Sequence, residues 1–157
     1  MNPGIMLDAS AIIRSNLDFS EGGYYITHGV MSEINDPRAR DAIDYGIRSS
    51  NIKMLETGGK HLEKARKAAR KTGDDRVLSE TDLEVIAAAL EHGLNVASDD
   101  YAIQNTCRTL GIGYVTTLHD GIREHVRWRY VCGGCGKSME GPGVCSVCGS
   151  EARRRRA

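Results

Sequence analysis

The chain has 157 residues, 40% apolar and 27% charged, which is enough for one ordinary domain and a small appendage. No apolar run approaches the ~18 residues that cross a bilayer, and no basic segment leads into an apolar one at the start, so the expectation is a cytoplasmic protein with no membrane partner. Formal net charge is zero, but residues 1–122 hold 13 Lys/Arg against 18 Asp/Glu, while residues 123–157 hold 8 against 3. An acidic body with basic outposts suits a protein that gathers cations in one place and a polyanion in another; solvated surface charge gives the same counts.

In chain order, Ile5–Leu7 reads as a buried strand running into Asp8, and Ala9–Asn16 as the start of a helix. Tyr24–Thr27 is a second strand, followed by a helix through Val30–Ile34. Asp36-Pro37 is a cap and first-turn pair for a helix reaching about Ser49. Asn51–Leu55 reads as a third strand and Lys60–Lys71 as a basic helix ended by Gly73. Ser79 caps a helix through His92 that Gly93 closes. Leu94–Ser98 is a strand, Tyr101–Leu110 a helix closed by Gly111, and Ile112–Thr116 a last strand. This alternation predicts an α/β fold with a central parallel sheet between two helical layers. The domain expectation is an α/β body over 1–120, a connector over 121–127, a cysteine module over 128–150 and a basic tail over 151–157.

Four acids carry the functional signal. Open parallel sheets bind ligands beyond the carboxyl ends of their strands, where strand order reverses. Asp8 follows the first strand, and Asp99 and Asp100 follow the strand LNVAS. On a helix, Asp82 shares a face with Ile86, Ala89 and Leu90, so it extends the inward stripe. Glu33 stands beside Val30 and Ile34. Acids gathered this closely cannot all stay ionised without a counter-charge, and oxygen ligands select Mg²⁺ or Mn²⁺ over zinc. Each acid also has a plain structural explanation. Asp8 and Asp99 can cap the helices that follow them, Asp82 can close a capping box with Ser79, and Glu33 can be a surface residue.

Taken in order and spacing, MLDASAII, ITHGVMSEI, LSETDLEVIAAAL and VASDDYAIQNTCRTLGI resemble the motifs of the PIN-domain nucleases over residues 3–120. The resemblance implies that Asp8, Glu33, Asp82 and Asp99 are catalytic and hold one or two divalent ions that cleave RNA, with Asp100 a further candidate ligand. Ser98 occupies the small hydroxyl position often found before the fourth acid, and His28 stands where many relatives have proline. Two ions about 3.5–4 Å apart would activate a water and stabilise the leaving 3′-oxygen, giving 5′-phosphate and 3′-hydroxyl ends.

Of the five cysteines, Cys132, Cys135, Cys145 and Cys148 form two Cys-x-x-Cys pairs, each followed by glycine, as in paired zinc knuckles. A closed, structural zinc site is expected, because a module this small cannot fold on apolar burial alone. Two redox dithiols or an iron–sulfur cluster fit the spacing less well. Trp128, Arg129, Tyr130 and Lys137 mix aromatic and basic groups suited to RNA, and Arg153, Arg154, Arg155 and Arg156 read as a flexible phosphate-seeking tail. Packing and simple solubility are the competing explanations. The stripe Lys60, Lys64, Lys67 and Lys71 reads first as a solvated face, His28 as structural, and Cys107 as a small core residue.

A PIN-like domain followed by a four-cysteine ribbon resembles the archaeal and eukaryotic Nob family. That resemblance implies a metal-dependent endoribonuclease that matures the 3′ end of small-subunit (16S-type) ribosomal RNA during ribosome assembly, with precursor rRNA and assembly proteins as partners. The alternatives are a toxin-type PIN ribonuclease acting on tRNA or mRNA, against which the ribbon argues, and a non-catalytic RNA- or ribosome-binding adaptor, against which the full set of acids argues. An Asp-x-Asp phosphatase is excluded by Ser10, and a phospho-receiver by the lack of a lysine in Val115-Thr116-Thr117.

Overall fold

The structure, a computed structural model, describes residues 3–14, 19, 21–116 and 128–156. The chain divides into two compact units, Met1–His125 and Val126–Ala157. The expected connector over 121–127 and the helix continuation to Asn16 lie outside the described residues.

The first unit is built on strands of two or three residues: β1 (Ile5–Leu7), β2 (Tyr24–Ile26), β3 (Ile52–Met54), β4 (Asn95–Ala97) and β5 (Tyr114–Val115). They form one sheet in the order β3-β2-β1-β4-β5, with every pairing parallel. Strand order therefore reverses between β1 and β4, where Leu7 stands opposite Ala97. Met6, Leu7, Val96 and Ala97 are fully buried, as expected of central strands covered on both faces.

The strands are short because polar caps stop them. Thr27 accepts from the Val30 N–H and starts α2 (His28–Glu33). Asp36 accepts from the Ala39 N–H and starts α3 (Pro37–Arg48). Ser79 starts α5 (Glu80–His92) through a capping box with Asp82, and Asp100 starts α6 (Tyr101–Thr109). Two further helices, α1 (Ala9–Arg14) and α4 (Gly59–Thr72), complete the layers. Gly73 and Gly93 close α4 and α5 in the left-handed conformation, as their position after the last helical turn predicts.

Helix α5 is the spine of the unit. Leu83, Val85, Ile86, Ala87, Ala88 and Ala89 are all buried, so it is apolar nearly all round. Gly29 lets α2 approach it closely: a Cβ there would stand 2.8 Å from Glu84 Oε2 and 3.1 Å from Thr81 Oγ1. This contact joins the helix that carries Glu33 to the helix that carries Asp82.

The second unit is a three-stranded antiparallel sheet ordered β7-β6-β8: β6 (Trp128–Cys132), β7 (Ser138–Met139) and β8 (Ala152–Arg156). This corrects the expected flexible tail. Arg153–Arg156 pair with β6 from Val131 back to Trp128. A run of four arginines carries none of the β-branched residues that announce a strand. The pairing instead satisfies the backbone groups of β6 on the side that β7 leaves open.

Candidate functional site

The carboxyl ends of β1 and β4 bring Asp8 and Ser98 side by side. Asp8 is buried at 2% exposure and Ser98 is fully buried. The Ser98 hydroxyl donates to Asp8 Oδ2 at 2.5 Å and itself accepts from the Asp100 N–H at 3.1 Å. The Ser10 hydroxyl lies 2.9 Å from each oxygen of Asp8, and the Ala11 N–H donates to Oδ1 at 2.6 Å. Asp8 thus caps α1 and is tied at the same time to Ser98 just past β4. Burial pushes its carboxyl above the usual carboxylate range, against the opposing pull of the hydrogen bonds from Ser98, Ala11 and Ser10, and the negative charge of Asp82 adds a smaller upward push.

The other acids reach the same place from separate elements. Asp8, Glu33, Asp82, Asp99 and Asp100, with Ala9 and Ser10, line one cleft of about 330 Å³. Asp82 is half-buried and serves two ends: its Oδ2 accepts from the Ser79 N–H at 2.9 Å while the residue also lines the cleft. Capping α5 and lining the cleft are therefore compatible for Asp82. For the fourth motif the cap is Asp100, whose Oδ1 accepts from the Ala102 N–H at 2.8 Å, so Asp99 is not used as the cap of α6. Glu33, the last residue of α2, is exposed at the rim. Among the described residues these carboxylates line the cleft without closing into a tight cage; the group whose ligand atoms all lie within 4.8 Å of one another is the cysteines. An all-oxygen donor set with room for water fits hard divalent ions, which keep part of their hydration and take only one or two carboxylates each.

In the second unit the four cysteines converge. Sγ of Cys135 and Cys145 stand 3.8 Å apart, and Sγ of Cys132 and Cys148 stand 3.2 Å apart. A tetrahedral zinc with sulfur at about 2.3 Å has edges of about 3.8 Å, so the first pair already stands at ligand spacing and the second slightly inside it. Each pair forms a knuckle. Gly136 N–H donates to the Cys132 carbonyl at 3.1 Å and Gly149 N–H to the Cys145 carbonyl at 2.9 Å, with both glycines at φ near +75° (76° and 75°). The N–H groups of Gly134 and Cys135 point at Cys132 Sγ, and that of Val147 points at Cys145 Sγ. Hydrogen bonds from the Ser150 side chain and backbone hold the Cys148 thiol down to about 6. The residues fit a structural zinc: four thiols, two closed knuckles, and amides aimed at sulfur.

Three kinds of relative agree with this geometry. Residues 5–91 match the PIN domain of ribonuclease. "Endoribonuclease Nob1" of Pyrococcus abyssi is 41% identical over 152 residues, covering 95% of this chain and 91% of that one. The chain belongs to the Nob1 endoribonucleases of the PIN-domain family. "Ribonuclease VapC1" of Thermoplasma acidophilum is 35% identical over 150 residues, covering 95% of this chain and 76% of that one. The "20S-pre-rRNA D-site endonuclease NOB1" of Saccharomyces cerevisiae is 25% identical over 103 residues, covering 64% of this chain and 22% of that one.

Cys107 is fully buried in α6 and its thiol is pushed well above the usual range by burial, so it is a core residue. His28 is exposed at the start of α2, with Nε2 3.9 Å from Glu56 Oε1. Arg129, Lys137, Arg153, Arg154 and Arg155 are exposed and Tyr130 is half-buried; the side chains of Trp128 and Arg156 lie outside the described residues. Gln104 was not anticipated. It is buried, and its Nε2 donates to the Ser98 carbonyl at 2.9 Å, fixing the strand end that presents Asp99. Its signal was a polar residue on the helix face shared with Ile103 and Cys107.

Ser98→Ala is expected to lower the melting temperature by a few degrees, because it removes the buried partner of Asp8 and of the Asp100 N–H, and to lower cleavage by roughly tenfold to a hundredfold, since one of these hydrogen bonds orients a candidate ligand. Single-turnover kinetics with the melting curve alongside check this; equal loss in stability and rate would make Ser98 a structural residue only.

Proposed function

We propose that this protein is a divalent-cation-dependent endoribonuclease that matures the 3′ end of small-subunit (16S-type) ribosomal RNA during ribosome assembly, with Mg²⁺ or Mn²⁺ at the acidic cleft and zinc in the ribbon. The observation that carries the reading is the convergence of Asp8, Glu33, Asp82 and Asp99, from four separate elements, on the cleft at the β1/β4 reversal. Endoribonuclease chemistry comes with the family; the choice of ribosomal RNA is supported by the yeast relative, a 20S-pre-rRNA D-site endonuclease.

The residues divide the work. Asp8, held rigidly by Ser98, Ser10 and the Ala11 N–H, supplies a ligand whose orientation does not depend on substrate. Asp82, Asp99 and Glu33 supply further carboxylate oxygens around the scissile phosphate, with Asp100 beside them. Divalent ions held by these carboxylates would supply Lewis acidity that polarises the scissile phosphate and makes a bound water more acidic. Such a site makes no use of the 2′-hydroxyl as nucleophile, so preference for RNA comes from binding surfaces. In the ribbon, the register Tyr130 to Arg154 and Trp128 to Arg156 alternates aromatic and arginine positions along two paired strands, which supports RNA contact there.

The test is cleavage of a precursor rRNA 3′-end fragment by the purified protein, with Mn²⁺ and with EDTA, followed by mapping of the ends. The expected result is a metal-dependent cut at the mature 3′ end, with a 5′-phosphate on the released fragment. A toxin-type reading has the name of the Thermoplasma relative behind it, so tRNA and mRNA fragments are run in parallel. Preferential cutting of either overturns the rRNA assignment, and metal-independent cutting overturns the mechanism.

A further inference from the structure

Helix α4 is odd in composition and in the way its charges are used. The side chains it buries outright are Ala65, Ala68 and Ala69, so it lies close against α5 while contributing little bulk to the core. Its outer face carries Lys60, Lys64, Lys67 and Lys71, all exposed, at spacings of four, three and four residues. They form one ridge about 17 Å long at 1.5 Å per residue.

A solvated helix face usually sets acids three or four residues from its lysines, because such pairs support the helix and like charges at that spacing oppose it. Here the lysines are one another's neighbours along the stripe, and the acid of the helix that stands three residues after Lys60 and four before Lys67 is Glu63. The helix has one acid, Glu63, and the arginines take it: Arg66 Nη1 lies 3.9 Å and Arg70 Nη2 2.9 Å from its carboxylate. Arg66 also pairs with Glu80. None of the four lysines makes an ion pair among the described residues, although acids outnumber bases in this unit.

The ridge also has a direction. At one end the Gly58 N–H donates to Glu91, at the end of α5 away from Asp82. Midway along α4, Arg66 holds Glu80, which is two residues before Asp82. The stripe therefore runs along α5 toward its Asp82 end, with Lys67 and Lys71 following Arg66 in that direction. The described residues of α4 offer no exposed large apolar side chain to anchor a protein partner. Lysines on flexible stems are point charges that suit phosphates without demanding fixed geometry.

We propose that the lysine face of α4 is a docking track for the sugar-phosphate backbone of single-stranded substrate RNA flanking the cut, delivering it to the acidic cleft. It rests on the endoribonuclease reading for its substrate, and it acts without base recognition, so it governs affinity and register along the strand rather than sequence.

The experiment compares the full-length protein with a variant in which Lys60, Lys64, Lys67 and Lys71 are all alanine, a second in which all four are arginine, and a control carrying Arg38→Ala and Lys53→Ala. Binding of a 30-nucleotide single strand is measured against NaCl concentration without divalent ions, so that it does not require cleavage. Turnover is then measured with Mn²⁺ on that strand and on a short one confined to the cleft. The alanine variant should show a salt slope shallower by about 2 to 3 and a KM on the long strand raised about tenfold, with kcat on it little changed. The arginine variant should keep the wild-type slope. A slope and KM for the alanine variant equal to those of the control, on protein with an unchanged melting curve, overturn the track and return the stripe to solvent or to a protein partner. If the wild-type protein cuts no RNA, the nuclease reading fails on its own, and the binding slopes still decide whether α4 holds the strand.

Discussion

Asp8→Asn is expected to lower Mn²⁺-dependent cleavage by on the order of 10³-fold or more while changing RNA affinity less than about twofold. The substitution keeps the shape of a side chain that is buried and hydrogen-bonded on both oxygens, so the fold has no reason to change. What it removes is the charge. The same change should alter stability in a direction opposite to that of most buried substitutions. Burial raises the folded-state pKa of Asp8 above the reference value of 3.8, so the folded protein holds this proton more tightly than the unfolded chain does. Without divalent ions, wild-type stability should therefore fall as pH rises from 3.8 through the raised value, and the variant should lack that fall. At neutral pH the ion-free variant should melt higher than the ion-free wild type, and the two should approach each other below 3.8. Adding Mn²⁺ at neutral pH should raise the wild-type melting temperature and leave the variant near its starting value. Melting curves over pH with and without Mn²⁺ read all of this; a variant that melts lower throughout would mean that Asp8 is chiefly a structural cap.

The second large effect belongs to the ribbon. Cys145→Ser is expected to abolish stoichiometric zinc retention and to unfold the second unit, because strand pairing without an apolar core is a weak support. Among its described residues the buried hydrophobic side chains are Cys132 and Cys145, which are themselves proposed zinc ligands. A unit of this size with no apolar core depends on metal, and zinc-finger peptides draw about 10–16 kcal/mol of folding free energy from it. Amide exchange should show loss of protection along β6 and β8, with β1 and β4 unaffected, and RNA binding should weaken because the arginines of β8 are then no longer held opposite β6. Full protection of β6 and β8 after zinc loss would show that strand pairing alone sustains the unit.

Much of this was legible in the sequence because local signals and tertiary demands agree. Asp36-Pro37, Ser79-x-x-Asp82, Gly73 and Gly93 each mark a helix end by chemistry that needs no distant partner, and each mark holds. The five strands could be read because buried parallel strands are apolar runs bounded by polar stops. The position of Asp8 beside Ser98 depends on β1 and β4 being neighbours, which alternation alone does not specify; it follows from the strand order. Capping and lining the cleft are compatible roles: Asp8 and Asp82 both cap helices and both line the cleft. Two features escaped. Arg153–Arg156 looked like a tail because charge conceals strand alternation, and only pairing with β6 reveals it. Gln104 escaped because its partner, the Ser98 carbonyl, belongs to another element.

The account stands on the acidic cleft holding divalent ions through Asp8. Its most direct test is calorimetric titration of the zinc-loaded protein with Mn²⁺, wild type against Asp8→Asn. The account predicts saturable uptake by the wild type that the variant loses. Identical uptake by the two proteins, or none by the wild type, would contradict it.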